Sequence, residues 1–83
     1  MSAPTTETLS QRVIELISKQ MDIPREQISL DSRFIADLGY DSLDIVEFGM
    51  NAEEEFDIVM SDEVGDNILT VRDAVEAIQK LIT

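Results

Sequence analysis

Apolar residues recur at steps of three and four along most of the chain. Leu9, Val13, Leu16, Ile17 and Met21 form one stripe, which predicts an amphipathic helix from about Thr6 to Met21. Pro24 lacks an amide donor and pushes Ile23 toward extended backbone, so this helix must stop before it. Residues 22 to 40 carry no helical period, yet they hold Ile28, Leu30, Phe34, Ile35 and Leu38. That content predicts a long connection pinned over a core, with Gly39 as its turn at positive φ. A connection of this length in so small a domain points to a functional placement for the segment after it.

That segment opens with Asp41-Ser42-Leu43-Asp44, with Asp41 as N-cap and Asp44 at the third helical position, close to a capping box. The second helix is expected from Ser42 to about Phe56. Ser61, with Asp62 and Glu63 behind it, caps a short third helix that Gly65 and Asn67 soon end. Thr70, with Asp73 three residues on, caps a last helix whose stripe is Val71, Ala74, Val75, Ile78, Leu81 and Ile82. No stretch alternates at period two between turn signals. The expected fold is therefore all-α, a small four-helix bundle of three main helices and one short one. Residues 1–6, small and polar with Pro4 among them, read as a disordered tail, and 7–83 as a single domain.

On a wheel of about 100° per residue, Phe48, Ala52, Ile45, Phe56 and Gly49 share the core sector of helix two. Leu43, Val46 and Met50 fall in a separate sector on the Ser42 side, flanked by Glu47, Glu53 and Glu54. An apolar centre with an acidic rim has the anatomy of a small docking surface. The plainer alternative tucks Val46 inward and leaves Leu43 and Met50 as scattered surface hydrophobes.

Charge sharpens this picture. The 83 residues hold 18 acidic and 6 basic groups, a formal net charge of -12. Residues 34 to 66 contain eleven of the acids and no Lys or Arg, whereas the segments on either side are nearly balanced. A one-signed field repels itself within the fold and speeds encounter with a basic partner. It also argues against nucleic-acid binding and anionic membranes. No apolar run approaches the ~20 residues that span a bilayer, and no secretory signal marks the start, so the expected location is cytoplasmic. Cysteine and histidine are both absent. Disulfides, thiolate chemistry, histidine-based triads and nearly all zinc sites go with them, and no metal site is expected.

Ser42 then stands out. A serine that opens a helix is usually a capping or first-turn residue, and without a histidine base it is no catalytic nucleophile. As the anchor of a phosphoester it is well placed, because the helix N-terminus stabilises an anion and the position is open.

The run Gly39-Tyr40-Asp41-Ser42-Leu43-Asp44, with Glu47 and Glu53-Glu54-Glu55-Phe56 after it, resembles the acyl carrier proteins of fatty acid synthesis. Arg12-Val13 and Ile17, Phe34 to Leu38, and Thr70-Val71 occupy matching places, so the resemblance covers nearly the whole chain. It implies that Ser42 carries 4′-phosphopantetheine, added from coenzyme A by a holo-acyl-carrier synthase, whose thiol holds acyl groups as thioesters. It implies further that Asp41, Asp44, Glu47, Glu53 and Glu54 meet basic patches on synthase and acyltransferase enzymes, with Leu43, Val46 and Met50 as apolar contacts. An acyl pocket is expected among Phe48, Gly49, Ala52, Phe56, Met60, Ile68 and Ala74, where the bundle parts between helices two and four. Such a carrier performs no chemistry itself and works as a monomer.

Gly49 and Ala52 stand where that family usually has larger apolar residues, Tyr40, Phe48 and Asn51 are less usual, and Ser61 replaces a common proline. A wider pocket for a bulky acyl group in a specialised pathway is one reading of this, compensating repacking the other. Two alternatives stay open: a carrier in a polyketide or aminoacyl pathway, and an unmodified acidic adaptor for a basic protein. Asp41 and the acidic helix argue against peptidyl carriers, which usually show Gly-Gly before the serine. An EF-hand fails on spacing, since a loop opened at Asp37 puts Gly39 at position three and Phe48 at twelve.

Overall fold

The computed structural model describes residues 8–82. The tail expected at 1–6 lies outside the described residues. Four α-helices run in the order α1 (Leu9–Met21), α2 (Ser42–Phe56), α3 (Asp62–Asp66) and α4 (Val71–Ile82), with one 3-10 turn at Arg25–Gln27 between α1 and α2. Among the described residues the β structure is a lone antiparallel bridge, Arg33 to Thr70.

Side chains set where each helix begins. Helix α1 starts at Leu9, later than the expected Thr6, because Thr8 takes up extended backbone and closes a capping box with Gln11 (3.2 and 2.9 Å). Ser61 Oγ accepts from the Val64 amide and opens α3. Helix α4 shows the most complete accounting of the four amides that a helix start leaves without intrahelical partners. The Val71 and Arg72 amides donate to the Ser32 and Leu30 carbonyls, and those of Asp73 and Ala74 to the Thr70 hydroxyl and carbonyl. Asp73 in turn accepts from the Leu69 and Thr70 amides, which hold its carboxyl below the ordinary carboxylate range.

Two of those acceptors belong to the long connection, so the segment between α1 and α2 is stapled to the start of α4. The Phe34 amide adds a bond to the Leu69 carbonyl at 3.0 Å. Ile28, Phe34, Leu38 and Tyr40 supply four of the twelve buried apolar residues. The connection is thus a wall of the core rather than a tether. Two sequence expectations for it are corrected: Ile35 points to solvent and Leu30 is only half-buried. Likewise Leu81 and Ile82, at the end of the α4 stripe, are exposed. The remaining core comes from Val13 and Ile17 of α1, Phe48 and Ala52 of α2, and Ile68, Val71, Ala74 and Ile78. Among the described residues no polar or charged residue is buried.

Helices α1 and α2 both end on an aspartate in the left-handed conformation, Asp22 (φ 56°) and Asp57 (φ 55°), where glycine is the usual solution. Aspartate tolerates this backbone better than most residues, but it places negative charge at the negative end of the helix. Replacing Asp57 with glycine relieves both costs. Asp57→Gly should stabilise the fold by about 1 kcal/mol, read as a higher urea midpoint; a lower midpoint would contradict the account of this cap.

Candidate functional site

Ser42 is the first residue of α2 and is exposed. Its position follows from the two aspartates around it. The Asp44 amide donates to Asp41 Oδ1 at 2.9 Å and the Asp41 amide to Asp44 Oδ2 at 3.1 Å, closing a capping box across the serine. Gly39, at φ 75°, turns the chain into this cap. The amides of Ser42 and Leu43 have no partner among the described residues. They stand at the positive end of the helix dipole beside the serine hydroxyl, an arrangement that favours a phosphate on that oxygen.

Beyond Ser42 the surface is apolar at its centre and acidic at its edge. Leu43, Val46 and Met50 are 68, 57 and 54% exposed, so Val46 does not tuck inward. Asp41, Glu47 and Glu54 are exposed with them, and Asp44 is half-buried by its cap. None of these four acids lies in an ion pair among the described residues. The arginines sit on other faces, where Arg12 pairs with Glu55 and Arg25, Arg33 and Arg72 with Glu15, Asp37 and Asp31. Around Ser42 the excess charge seen along the chain is therefore exposed and without ion pairs, whereas Glu55 and Asp37 of the same acidic segment are paired. Glu53 behaves differently from its neighbours. Its Oε2 accepts the Met60 amide at 2.8 Å, so it ties down the turn after α2 as well as reaching the rim.

A cavity of about 300 Å³ opens between α2 and α3, floored by Phe34, Phe48 and Ile68 and walled by Ile45, Gly49 and Met60. Glu53, Asp62 and Asp66 stand at its edge. Four of the residues expected around a pocket line it: Phe48, Gly49, Met60 and Ile68. Three do not. Ala52 and Ala74 are wholly buried in the core, and Phe56 turns toward α1, where the Arg12 guanidinium lies 4.6 Å from its ring centre. The opening is also beside α3, not between helices two and four as expected. Helix α3, which forms that wall, is five residues long and buries none of them. Phe34 and Gly65, a further lining residue, were not anticipated from the sequence. Phe34 could have been inferred from its place in an apolar connection, but nothing marks Gly65 as facing a cavity rather than ending a helix.

Tyr40 lies just before the cap, 3% exposed, with its ring edge-on to Phe34 at 4.9 Å. Its hydroxyl donates to Gln20 Oε1 at 2.8 Å. Burial, and secondarily the charge of Asp44, push its ionisation well above the ordinary phenol range.

A family model described as a phosphopantetheine attachment site matches residues 11–78. An acyl carrier protein of Cyanidium caldarium is 49% identical over 74 residues, covering 89% of this chain and 86% of the relative. One from Buchnera aphidicola is 47% identical over 72 residues, covering 87% and 90%. In three dimensions, a chain assigned as an acyl carrier protein from Mycobacterium tuberculosis superposes with a TM-score of 0.83 at 27% identity, covering 88% of this chain and 97% of that one. This chain belongs to the acyl carrier family, the helical proteins that bear phosphopantetheine. No helix among the described residues is long and apolar enough to cross a membrane.

The buried phenol sets a pH dependence. Folding raises the Tyr40 pKa, so the stability tied to its neutral form is fully present below the ordinary value of about 10 and is lost as pH rises beyond it. The chain has one tyrosine and no tryptophan, so ultraviolet absorbance follows this group alone. Ionisation should arrive together with unfolding above the ordinary range, and Tyr40→Phe should unfold at higher pH. A simple titration near pH ~10 in the folded protein would refute the burial argument.

Proposed function

We propose that Ser42 is the residue that bears the 4′-phosphopantetheine, and that the face formed by Asp41, Leu43, Val46, Glu47, Met50 and Glu54 docks the basic-surfaced enzymes that load and unload it. The protein is an acyl carrier and not an enzyme. The prosthetic group, when attached, supplies the thiol that this cysteine-free chain lacks and holds acyl groups there as thioesters. The observation that carries the assignment is the exposed Ser42 hydroxyl at a helix start whose first two amides remain free. Asp44 contributes charge while its own carboxylate closes the cap, and Glu53 contributes mainly through the turn it holds.

This chain's part in attachment is to present the oxygen. The Ser42 Oγ–phosphorus bond forms as the pyrophosphate of coenzyme A breaks, and 3′-phospho-AMP leaves. No histidine is present to take the serine proton, so the base belongs to the synthase. The exposed apolar centre is small, and its rim is unneutralised acid. Contacts made on such a face are fast and weak, which suits a carrier that must leave each enzyme after visiting it. The reading places the protein in the cytoplasm as a monomer, since a second copy seated on this face would block delivery. Fatty acid synthesis is the usual setting of the family and the pathway we assign.

Incubation with coenzyme A and a holo-acyl-carrier synthase should add one phosphopantetheine mass to the wild type and none to Ser42→Ala. A modified Ser42→Ala protein, or an unmodified wild type, would overturn the assignment.

The groove leaves room beside Gly49, where an added Cβ would meet no heavy atom within 4 Å. A bulky or branched acyl chain is the cargo that such an open wall admits. Acyl loading should raise the melting temperature of the wild type for bulky chains, and Gly49→Leu, which fills the opening, should abolish the gain for bulky chains before straight ones. Equal gains in both proteins would reject the α2–α3 groove as the acyl site.

A further inference from the structure

One side chain from another helix reaches both flanks of Ser42. Gln20, in the last turn of α1, accepts the Tyr40 hydroxyl at Oε1 (2.8 Å) and donates through Nε2 to the backbone carbonyl of Asp44 (2.9 Å). Tyr40 precedes Ser42 by two residues and Asp44 lies two beyond it, so a single amide spans the attachment segment. Both bonds are partly buried, which strengthens them relative to exposed ones. The amide is also fixed in orientation. Rotated by half a turn, its oxygen would face the Asp44 carbonyl, acceptor against acceptor, and only the observed arrangement satisfies both partners.

Tyr40 cannot wander either, because it is buried and its ring is wedged edge-on against Phe34. The consequence falls on the residues between. Asp41 is extended (φ -112°, ψ -175°) and Ser42 begins the helix, an exposed first turn of the kind that frays unless held. A brace at residues 40 and 44 leaves the backbone between them one conformation. A nucleophilic hydroxyl gains rate when its approach is set before the partner arrives, because the orientational entropy is already lost.

We propose that Gln20, steadied by Tyr40, is a positioning residue for phosphopantetheine attachment: it clamps the backbone on both sides of Ser42 so that the hydroxyl meets the transferase in one orientation. The inference rests on the assignment of Ser42 as the attachment residue. Gln20 acts through the backbone it holds, at Tyr40 and at the Asp44 carbonyl.

The test is steady-state transfer from coenzyme A by a holo-acyl-carrier synthase, followed by intact mass, at a temperature well below the melting point of every variant. Gln20→Met keeps the length of the side chain and removes both hydrogen bonds. Its kcat should fall about tenfold with KM within about twofold of wild type, because the acidic docking residues are untouched. Tyr40→Phe keeps the Phe34 contact and the bond to Asp44, and should fall about threefold. The double variant should be no slower than Gln20→Met, since the hydroxyl acts through the amide. Emission from the single tyrosine reports independently whether the Tyr40 bond is lost. A merely structural role would lower the melting temperature and leave kcat unchanged. Wild-type kcat in Gln20→Met with altered tyrosine emission would overturn the proposal, and so would a rise in KM alone. Should Gln20→Met not fold, Gln20→Glu carries the same test, because its carboxylate still accepts from Tyr40 and opposes the Asp44 carbonyl. Transfer to Ser42→Ala would instead sink the attachment assignment, so the two failures are distinguishable.

Discussion

The packing of Phe34 holds the functional half of the molecule together. Its side chain is 1% exposed and meets the ring of Tyr40 on one side and that of Phe48, 5.2 Å away, on the other. Tyr40 leads into the Ser42 cap, and Phe48 is the inward face of α2. The same ring floors the groove beside α3. Its amide is bonded to Leu69 just before α4, so a residue in a nominal loop joins α2 to the segment that leads into α4. Fully burying a side chain of this size stabilises a fold by about 1.5–3 kcal/mol relative to leaving it exposed. A small domain has few such contacts to draw on, and here they are concentrated beneath the attachment site.

Above that cluster the electrostatics run the other way. The middle of the chain is acidic throughout and its carboxylates face solvent, largely without basic partners. Their mutual repulsion opposes compaction. The fold tolerates it because these charges are turned to solvent, while the contacts holding the segment down are apolar or are local bonds to backbone amides, as at Asp41, Asp44 and Glu53. A field left unneutralised within the molecule is available to a partner. Carrier function needs that availability, together with the modest apolar centre at Leu43, Val46 and Met50.

Much of this was legible in the chain because it is written in short-range rules. The limits of α2, the capping aspartates around Ser42 and the positive φ of Gly39 each depend on a few neighbouring residues, and the structure has them as expected. The wheel separated Phe48 and Ala52 from Leu43, Val46 and Met50 for the same reason. Where the reading missed, a distant partner decided the outcome. Ile35 looks like core by composition, yet the bridge from Arg33 to Thr70 fixes the register so that Phe34 turns inward and Ile35 outward. Phe56 sits on the core sector of α2 but meets Arg12 of α1 instead of the groove. The two left-handed aspartates carry no signal in a scan for glycine.

The sequence by itself determined the helices, the caps that open α2, α3 and α4, the acidic character around Ser42 and the serine itself, since periodicity, side-chain capping and charge act over one or two turns. Only the tertiary structure decided that the opening lies beside α3 and that Gln20 reaches both Tyr40 and Asp44. Those features depend on how tightly one helix is pressed against another and on which side chain happens to bridge the gap. Such relations join residues ten or more positions apart, and no local pattern along the chain encodes them.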